Sequence, residues 1–186
     1  MAALDAALAA SLLAMVANLT LGRKRYLNVQ QEVARIRDAA VGLRDHASTL
    51  VRRDSEAYRR VSGALALPKD TDAEKEGRQR ALQEALKGAV DPPLETMRTA
   101  EQIILLAQDL VGIGNRSAVS DVGAAALIAR SAYHAAQLNV EINLAAIRDG
   151  DWVSAVRATV RGRVDVDALE RQVLGRVHAF IRGAEA

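Results

Sequence analysis

Residues Ser117–Ile147 read SAVSDVGAAALIARSAYHAAQLNVEINLAAI, the least polar part of the chain. Small side chains dominate it, among them Ala118, Gly123, Ala124, Ala125, Ala126, Ala129, Ala132, Ala135 and Ala136. Alanine is the best helix former, and small residues let helices approach one another closely. A helix that is apolar on most sides belongs at the centre of a bundle or in a subunit interface. The rest of the chain agrees with this reading. Of its 186 residues, 50% are hydrophobic but only 3% aromatic, so the core must be built from Ala, Leu, Val and Ile. There are only three prolines and no run of strand-like alternation, which argues against a β-sandwich. The expected fold is therefore all-α, a helical bundle with long central helices, occupying residues 1–186 as one domain.

Composition also excludes several functions. No cysteine is present, which removes disulfides, thiolate nucleophiles and Cys-ligated metal centres. His46, His134 and His178 are far apart and form no metal-binding spacing, so no metal site is expected. Mixed charges summing to +2 make no clustered basic face, and no nucleic-acid partner is expected. Ala6–Gly22 is uncharged and precedes Arg23-Lys24-Arg25. A secretory signal would carry its positive charges before the apolar run. The run is at the short limit for a bilayer span and holds Ser11, Asn18 and Thr20, so a buried bundle helix is expected in place of a membrane segment.

Outward from the central stretch, helices are expected at about Ala2–Leu21 and Leu27–Leu65. In the second, Val29, Val33, Ile36, Ala40, Leu43, Ala47, Leu50, Ala57 and Val61 recur at threes and fours. Pro68 stops it. Thr71-Asp72-Ala73-Glu74 has the form of a capping box and opens a third helix, to about Ala89. Asp91-Pro92-Pro93 kinks or breaks the chain before Leu94–Val111. A loop at Gly112–Asn115 leads into the central stretch, which Asp149-Gly150 ends. One or two amphipathic helices, broken near Gly162, follow from Trp152, itself a packing anchor.

Three segments place polar groups in apolar helical surroundings, where an unpaired polar group is costly. They are Asn18-Leu19-Thr20 with Gly22–Tyr26, Gly114–Asp121 with Gly123, and Leu138-Asn139-Val140 with Ile142-Asn143-Leu144. Together with Leu67–Thr71 and Glu74-Lys75, these segments resemble the cyclodeaminase/cyclohydrolase family of folate enzymes. The likeness runs in order from Ala2 to about Arg148. It implies an all-helical, dimeric, cytoplasmic enzyme acting on a tetrahydrofolate derivative, with no metal or redox cofactor. The implied reaction is hydrolysis of 5,10-methenyltetrahydrofolate to 10-formyltetrahydrofolate. The alternative is ammonia-releasing ring closure of formiminotetrahydrofolate; the absence of an attached formiminotransferase domain favours the hydrolysis. Family members carry a Pro-Gly-Gly-Gly-Ser stretch before the first helix, and this chain begins after that point. A non-catalytic helical dimer is accordingly the rival reading.

Either reaction needs a proton acceptor, a proton donor and polar groups that hold the pterin. Lys24 stands out because the chain has 21 arginines and only four lysines, yet a lysine lies between Arg23 and Arg25. Lysine flanked by cations can lose its proton, and arginine effectively cannot. Asp121 lies near the start of the apolar helix, where an acid also simply complements the dipole. The resemblance makes Lys24 and Asp121 the proton-handling pair, with Asn18, Asn115 and Ser120 on the substrate and Arg23 and Arg25 attracting the glutamate tail. Asn139 and Asn143 share one helix face, and their amides serve either a ligand or backbone across a helix interface. Asp54, on one face of the second helix with Tyr58, is an acid–base candidate or a surface acid. His134 is expected to be structural. Asp121 and Asn139 are eighteen residues apart, about 27 Å along a helix, so one chain cannot bring both to one carbon. If the prolines only kink the chain, its two halves nearly match the second helix in length, Asp121 joins Lys24 at one end, and Asn139 and Asn143 join Asp54 at the other; a hairpin reverses this, and a dimer can join the two groups. The kinked arrangement is the one expected.

Overall fold

The computed structural model describes residues 1–183. Seven α-helices follow in order: α1 Ala2–Thr20, α2 Gln30–Leu65, α3 Asp72–Gly88, α4 Asp91–Leu110, α5 Val119–Ala145, α6 Gly150–Arg161 and α7 Val166–Ile181. Short 3-10 turns occupy Lys24–Val29 and Arg116–Ala118, and no strand occurs among the described residues. The all-α fold class expected from composition is the one found.

The centre is made by α1 and α5, which pack on each other and against α2 and α4. Their contacting surfaces are small. Ala6, Ala9, Ala10 and Ala17 of α1 and Ala125, Ala126, Ala129, Ala132 and Ala136 of α5 are fully buried, with Leu13 and Val16 filling the space between. By length and composition α1 is able to cross a membrane, but over half of it is buried inside the bundle. It is a packed central helix here, as its serine, asparagine and threonine suggest.

α2 runs the length of the molecule and is buried along Val33, Ile36, Ala40, Ala47, Leu50, Ala57 and Ala64. α3 and α4 run back along it. At one end Arg78 donates to the Leu65 carbonyl at 3.1 Å, and at the other Arg35 pairs with Asp109 at 3.3 Å. The start of α3 is the expected capping box: Thr71 Oγ1 accepts from Glu74 N at 3.2 Å, and Glu74 Oε2 accepts from Thr71 N at 2.8 Å. Between α3 and α4, Ala89 (φ −78°, ψ −9°) and Val90 (φ −80°, ψ −29°) stay in the right-handed helical region. Pro92 and Pro93 sit in the first turn of α4, where a missing N–H does least harm. The chain kinks and continues; it does not fold into a hairpin.

Several boundaries differ from the sequence reading; α4, for one, begins at Asp91, three residues before the expected Leu94. α2 begins at Gln30, three residues late, because Tyr26 leaves the helical region at φ −116°, ψ 23°. Gly22 at φ +74° makes the preceding turn, and the Gln30 side chain bridges it, accepting from Gly22 N at 2.7 Å and donating to Tyr26 O at 2.8 Å. α5 ends at Ala145, before Ile147. Gln83 of α3 takes over the backbone there, donating to Ala146 O at 3.1 Å and accepting from Arg148 N at 2.7 Å.

α6 and α7 break at Gly162, as expected, and α7 lies on α4 and α5. Arg163 is paired with Glu101, both 12% exposed. Trp152 packs on the core, with the Lys87 ammonium 5.7 Å from its ring centre. His134 is structural: its Nε2 lies 3.0 Å from Asp167 Oδ1, and Arg130 binds the same oxygen. The hydrogen bond from His134, then that from Arg130, holds the Asp167 carboxyl below the usual carboxylate range. A carboxylate lowered on folding stabilises the protein above its unfolded pKa, and the contribution disappears as pH falls through the folded value. Asp167→Asn is therefore expected to melt below the parent at pH 6, with the difference in melting temperature shrinking as pH falls below the ordinary carboxylate range.

Candidate functional site

The candidates fall into two groups at opposite ends of the bundle, as the kink requires. α1 marks both ends. Its last residue, Thr20, touches Asn115, and its first residues line a cavity with Asp54 and Asn139.

At the Thr20 end, the chain uses its polar residues to tie the α4–α5 loop to α1. Asn115 N donates to Thr20 Oγ1 at 2.8 Å, Asn115 Nδ2 donates to Leu19 O at 2.9 Å, and Asn115 Oδ1 accepts from Ser117 N at 3.0 Å. Tyr26 Oη accepts from Arg116 N at 3.0 Å, and the Arg116 guanidinium stacks 4.9 Å from the Phe180 ring centre. These bonds commit Asn115 to the protein's own backbone. Asn18, Arg23, Lys24, Arg25 and Ser120 are exposed around this knot, and Asp121 is half-buried in the first turn of α5.

The opposite end holds a cleft. It has a volume of about 740 Å³ and lies between α2, the α3–α4 junction and the last turns of α5. Asp54, Tyr58 and Arg59 come from α2; Asn139, Ile142 and Asn143 come from α5; Ala89 forms the floor. A smaller cavity of about 80 Å³ shares Asp54 and Asn139 and reaches Met1 and Thr96. The volume of the main cleft lies within the range of roughly 300–1,000 Å³ that suits small-molecule and cofactor ligands. Lys24 and Asp121 line neither space.

Helical spacing builds this wall. Asp54 and Tyr58 are four apart, as are Asn139 and Asn143, so each pair points the same way. Among the described residues, the side chains of Asp54, Tyr58, Arg59 and Asn139 make no hydrogen bond or ion pair with the protein. Asn143 makes one, donating from Nδ2 to Ala89 O at 2.9 Å. The cleft thus offers a carboxylate for proton transfer, two amides to align a flat polar heterocycle, a tyrosine ring to cover it and an arginine for an anion. The sequence names Asp54, Tyr58, Asn139 and Asn143 as candidates, and the structure brings all four to this cleft. Arg59 was not among the candidates, because four arginines lie between residues 52 and 60 and nothing local separates the one that faces the cleft.

The family pattern described as formiminotransferase-cyclodeaminase matches residues 1–162. The chain belongs to that family. It is 39% identical over 148 residues to a methenyltetrahydrofolate cyclohydrolase of Methylorubrum extorquens, covering 80% of this chain and 71% of that protein. A formimidoyltransferase-cyclodeaminase of Rattus norvegicus is 35% identical over 148 residues; these cover 80% of this chain and 27% of the rat protein. The crystal structure of formiminotetrahydrofolate cyclodeaminase from Thermotoga maritima superimposes with a TM-score of 0.80 at 27% identity, covering 98% of this chain and 86% of that one. These relatives are named as cyclohydrolase and cyclodeaminase enzymes, and the helical fold is shared with the Thermotoga maritima enzyme.

The Thr20 knot has a direct test. Thr20 is fully buried, and its hydroxyl also donates to Val16 O at 2.7 Å. Thr20→Val keeps the shape but leaves Asn115 N–H without a partner, an expected loss of about 1–3 kcal/mol in urea unfolding.

Proposed function

We propose that this chain hydrolyses 5,10-methenyltetrahydrofolate to 10-formyltetrahydrofolate in the Asp54–Asn139–Asn143 cleft. The cleft carries the proposal: it places one free carboxylate beside two amides in a space of ligand size. The 39% identity to a methenyltetrahydrofolate cyclohydrolase, against 35% to a cyclodeaminase, supports hydrolysis over ring closure.

The substrate carries its positive charge on the carbon bridging N5 and N10. Asp54 takes a proton from water as the water oxygen bonds to that carbon. The adduct is a neutral carbinolamine. Asp54 then returns the proton to N5 as the carbon–N5 bond breaks, and the hydroxyl proton leaves to solvent as the formyl group forms on N10. One proton is released overall, and no redox or metal step is needed. Asn139 and Asn143 align the pterin, Tyr58 covers it, and Arg59 attracts the anionic tail. Loss of methenyl absorbance above the spontaneous rate, without ammonia release from formiminotetrahydrofolate, is the expected result. Asp54→Asn should lower kcat by on the order of a hundredfold, as for a lost acid–base group. A near-normal kcat in a folded Asp54→Asn protein defeats the assignment.

The working unit in this proposal is a homodimer. Leu4, Leu8, Met15 and Leu19 form an exposed stripe along α1, and Leu127, Leu138 and Ile142 continue it on α5. Contiguous exposed apolar surface of this kind marks an interaction face. A two-fold axis perpendicular to α1 and α5 pairs these stripes antiparallel. An axis along the helices would instead set Arg23, Lys24, Arg25 and Arg116 of two copies side by side. In the antiparallel dimer the Lys24 end of one protomer lies beside the cleft of the other, where Lys24 and Asp121 pass the departing hydroxyl proton to solvent, with Asn18 and Ser120 on the substrate. Mixing Lys24→Met protein with Asp54→Asn protein is then expected to restore activity in the hybrid dimers, up to half their sites being intact. Recovery no greater than the sum of the two variants alone would place Lys24 outside the site.

A further inference from the structure

The two prolines at the α3–α4 junction act on one carbonyl. In a helix the oxygen of residue i accepts from N–H of residue i+4, or from i+3 in a tight turn. For Ala89 these positions are Pro93 and Pro92, and neither has an N–H. The neighbouring Val90 carbonyl is satisfied normally, by Leu94 N at 3.2 Å. Ala89 O is left without a helical donor on the floor of the cleft, and Asn143 Nδ2 supplies one at 2.9 Å.

This contact fixes which way the Asn143 amide faces. A carbonyl oxygen can only accept, so the nitrogen end must point at Ala89 and the oxygen end away from it. Asn143 Oδ1 has no donor of its own among the described residues. We infer that Pro93, through Ala89, orients Asn143 as an acceptor that selects a ring edge rich in N–H donors, namely the 2-amino and N3–H edge of the pterin. The inference rests on the folate reading of the cleft. Pro93 is a positioning residue in it, and Asn143 is the residue that determines specificity.

The test compares two ligands with the intact chain: tetrahydrofolate, and the same compound with its 2-amino group replaced by methyl. Dissociation constants are measured by calorimetry. The parent is expected to favour the 2-amino compound by about tenfold, the worth of one ordinary hydrogen bond. Asn143→Ala should bring the ratio close to one. Pro93→Ala returns an N–H to Ala89 O and frees the Asn143 amide to turn, so the ratio should fall to about threefold or less. Pro92→Ala returns an N–H that reaches Gly88 O in an α-helical turn and Ala89 O only in a tighter one, so it should lower the ratio less than Pro93→Ala does. A merely structural role for Pro93 would weaken both ligands equally and leave the ratio unchanged. An unchanged ratio in folded Pro93→Ala or Asn143→Ala overturns the inference while leaving the folate cleft standing. Failure of the parent to bind either compound sinks the folate reading and this inference with it.

Discussion

Alanine against alanine along α1 and α5 sets the spacing of the two central helices, and the other helices are arranged around that pair. Each buried alanine contributes little, since a methyl group removes only a small apolar area from water. It also loses no rotamer freedom on folding. A core of this kind gains stability by length. That is why α2 extends over 36 residues and α5 over 27, and why α3 and α4 must continue one another in nearly one line. A break at the prolines would leave the Leu65 end of α2 without α3, which packs on it.

The sequence shows most of this plainly. A 3.6-residue period in α2, a capping box at Thr71 and a band of small residues in α5 are local features, and each is read from its own neighbourhood. The kink at Pro92-Pro93 was legible too. Proline forbids a hydrogen bond without saying which way the chain turns, but the two halves together nearly match α2 in length, and that match favours a kink over a hairpin. The start of α2 was missed. Gln30 reaches eight residues back to Gly22, a contact with no periodic signature.

The candidate residues were legible, and the kinked reading also put Asn139 and Asn143 beside Asp54; which end forms a cleft was not legible. A polar residue inside an apolar helix signals a required partner, but the signal is the same whether that partner is a ligand or the backbone. Asn115 and Thr20 turned out to satisfy each other and the chain around them. Asn139, four residues from Asn143, has no protein partner, and it lies on a cleft wall. What separates the two cases is the distance between helices. At the Thr20 end, loop and helix end close on one another. At the other end, the kink carries the α3–α4 junction past α5 and leaves a space between them.

The same turns of α5 serve two surfaces. Leu138 and Ile142, each 71% exposed, directly precede Asn139 and Asn143 in sequence. Adjacent residues on a helix point about 100° apart, so the leucine and isoleucine continue the outer apolar stripe while the asparagines turn towards the cleft. Ile142 reaches the cleft wall as well. In the proposed dimer, covering Leu138 and Ile142 restrains the helical turns that carry both amides. Ordering an amide before the ligand arrives removes part of the entropy that binding would otherwise cost. Assembly and pterin recognition are then coupled through one short piece of helix. The polar–apolar alternation at 138–143, unhelpful for a simple amphipathic helix, becomes what a helix needs when it stands between a partner and a ligand.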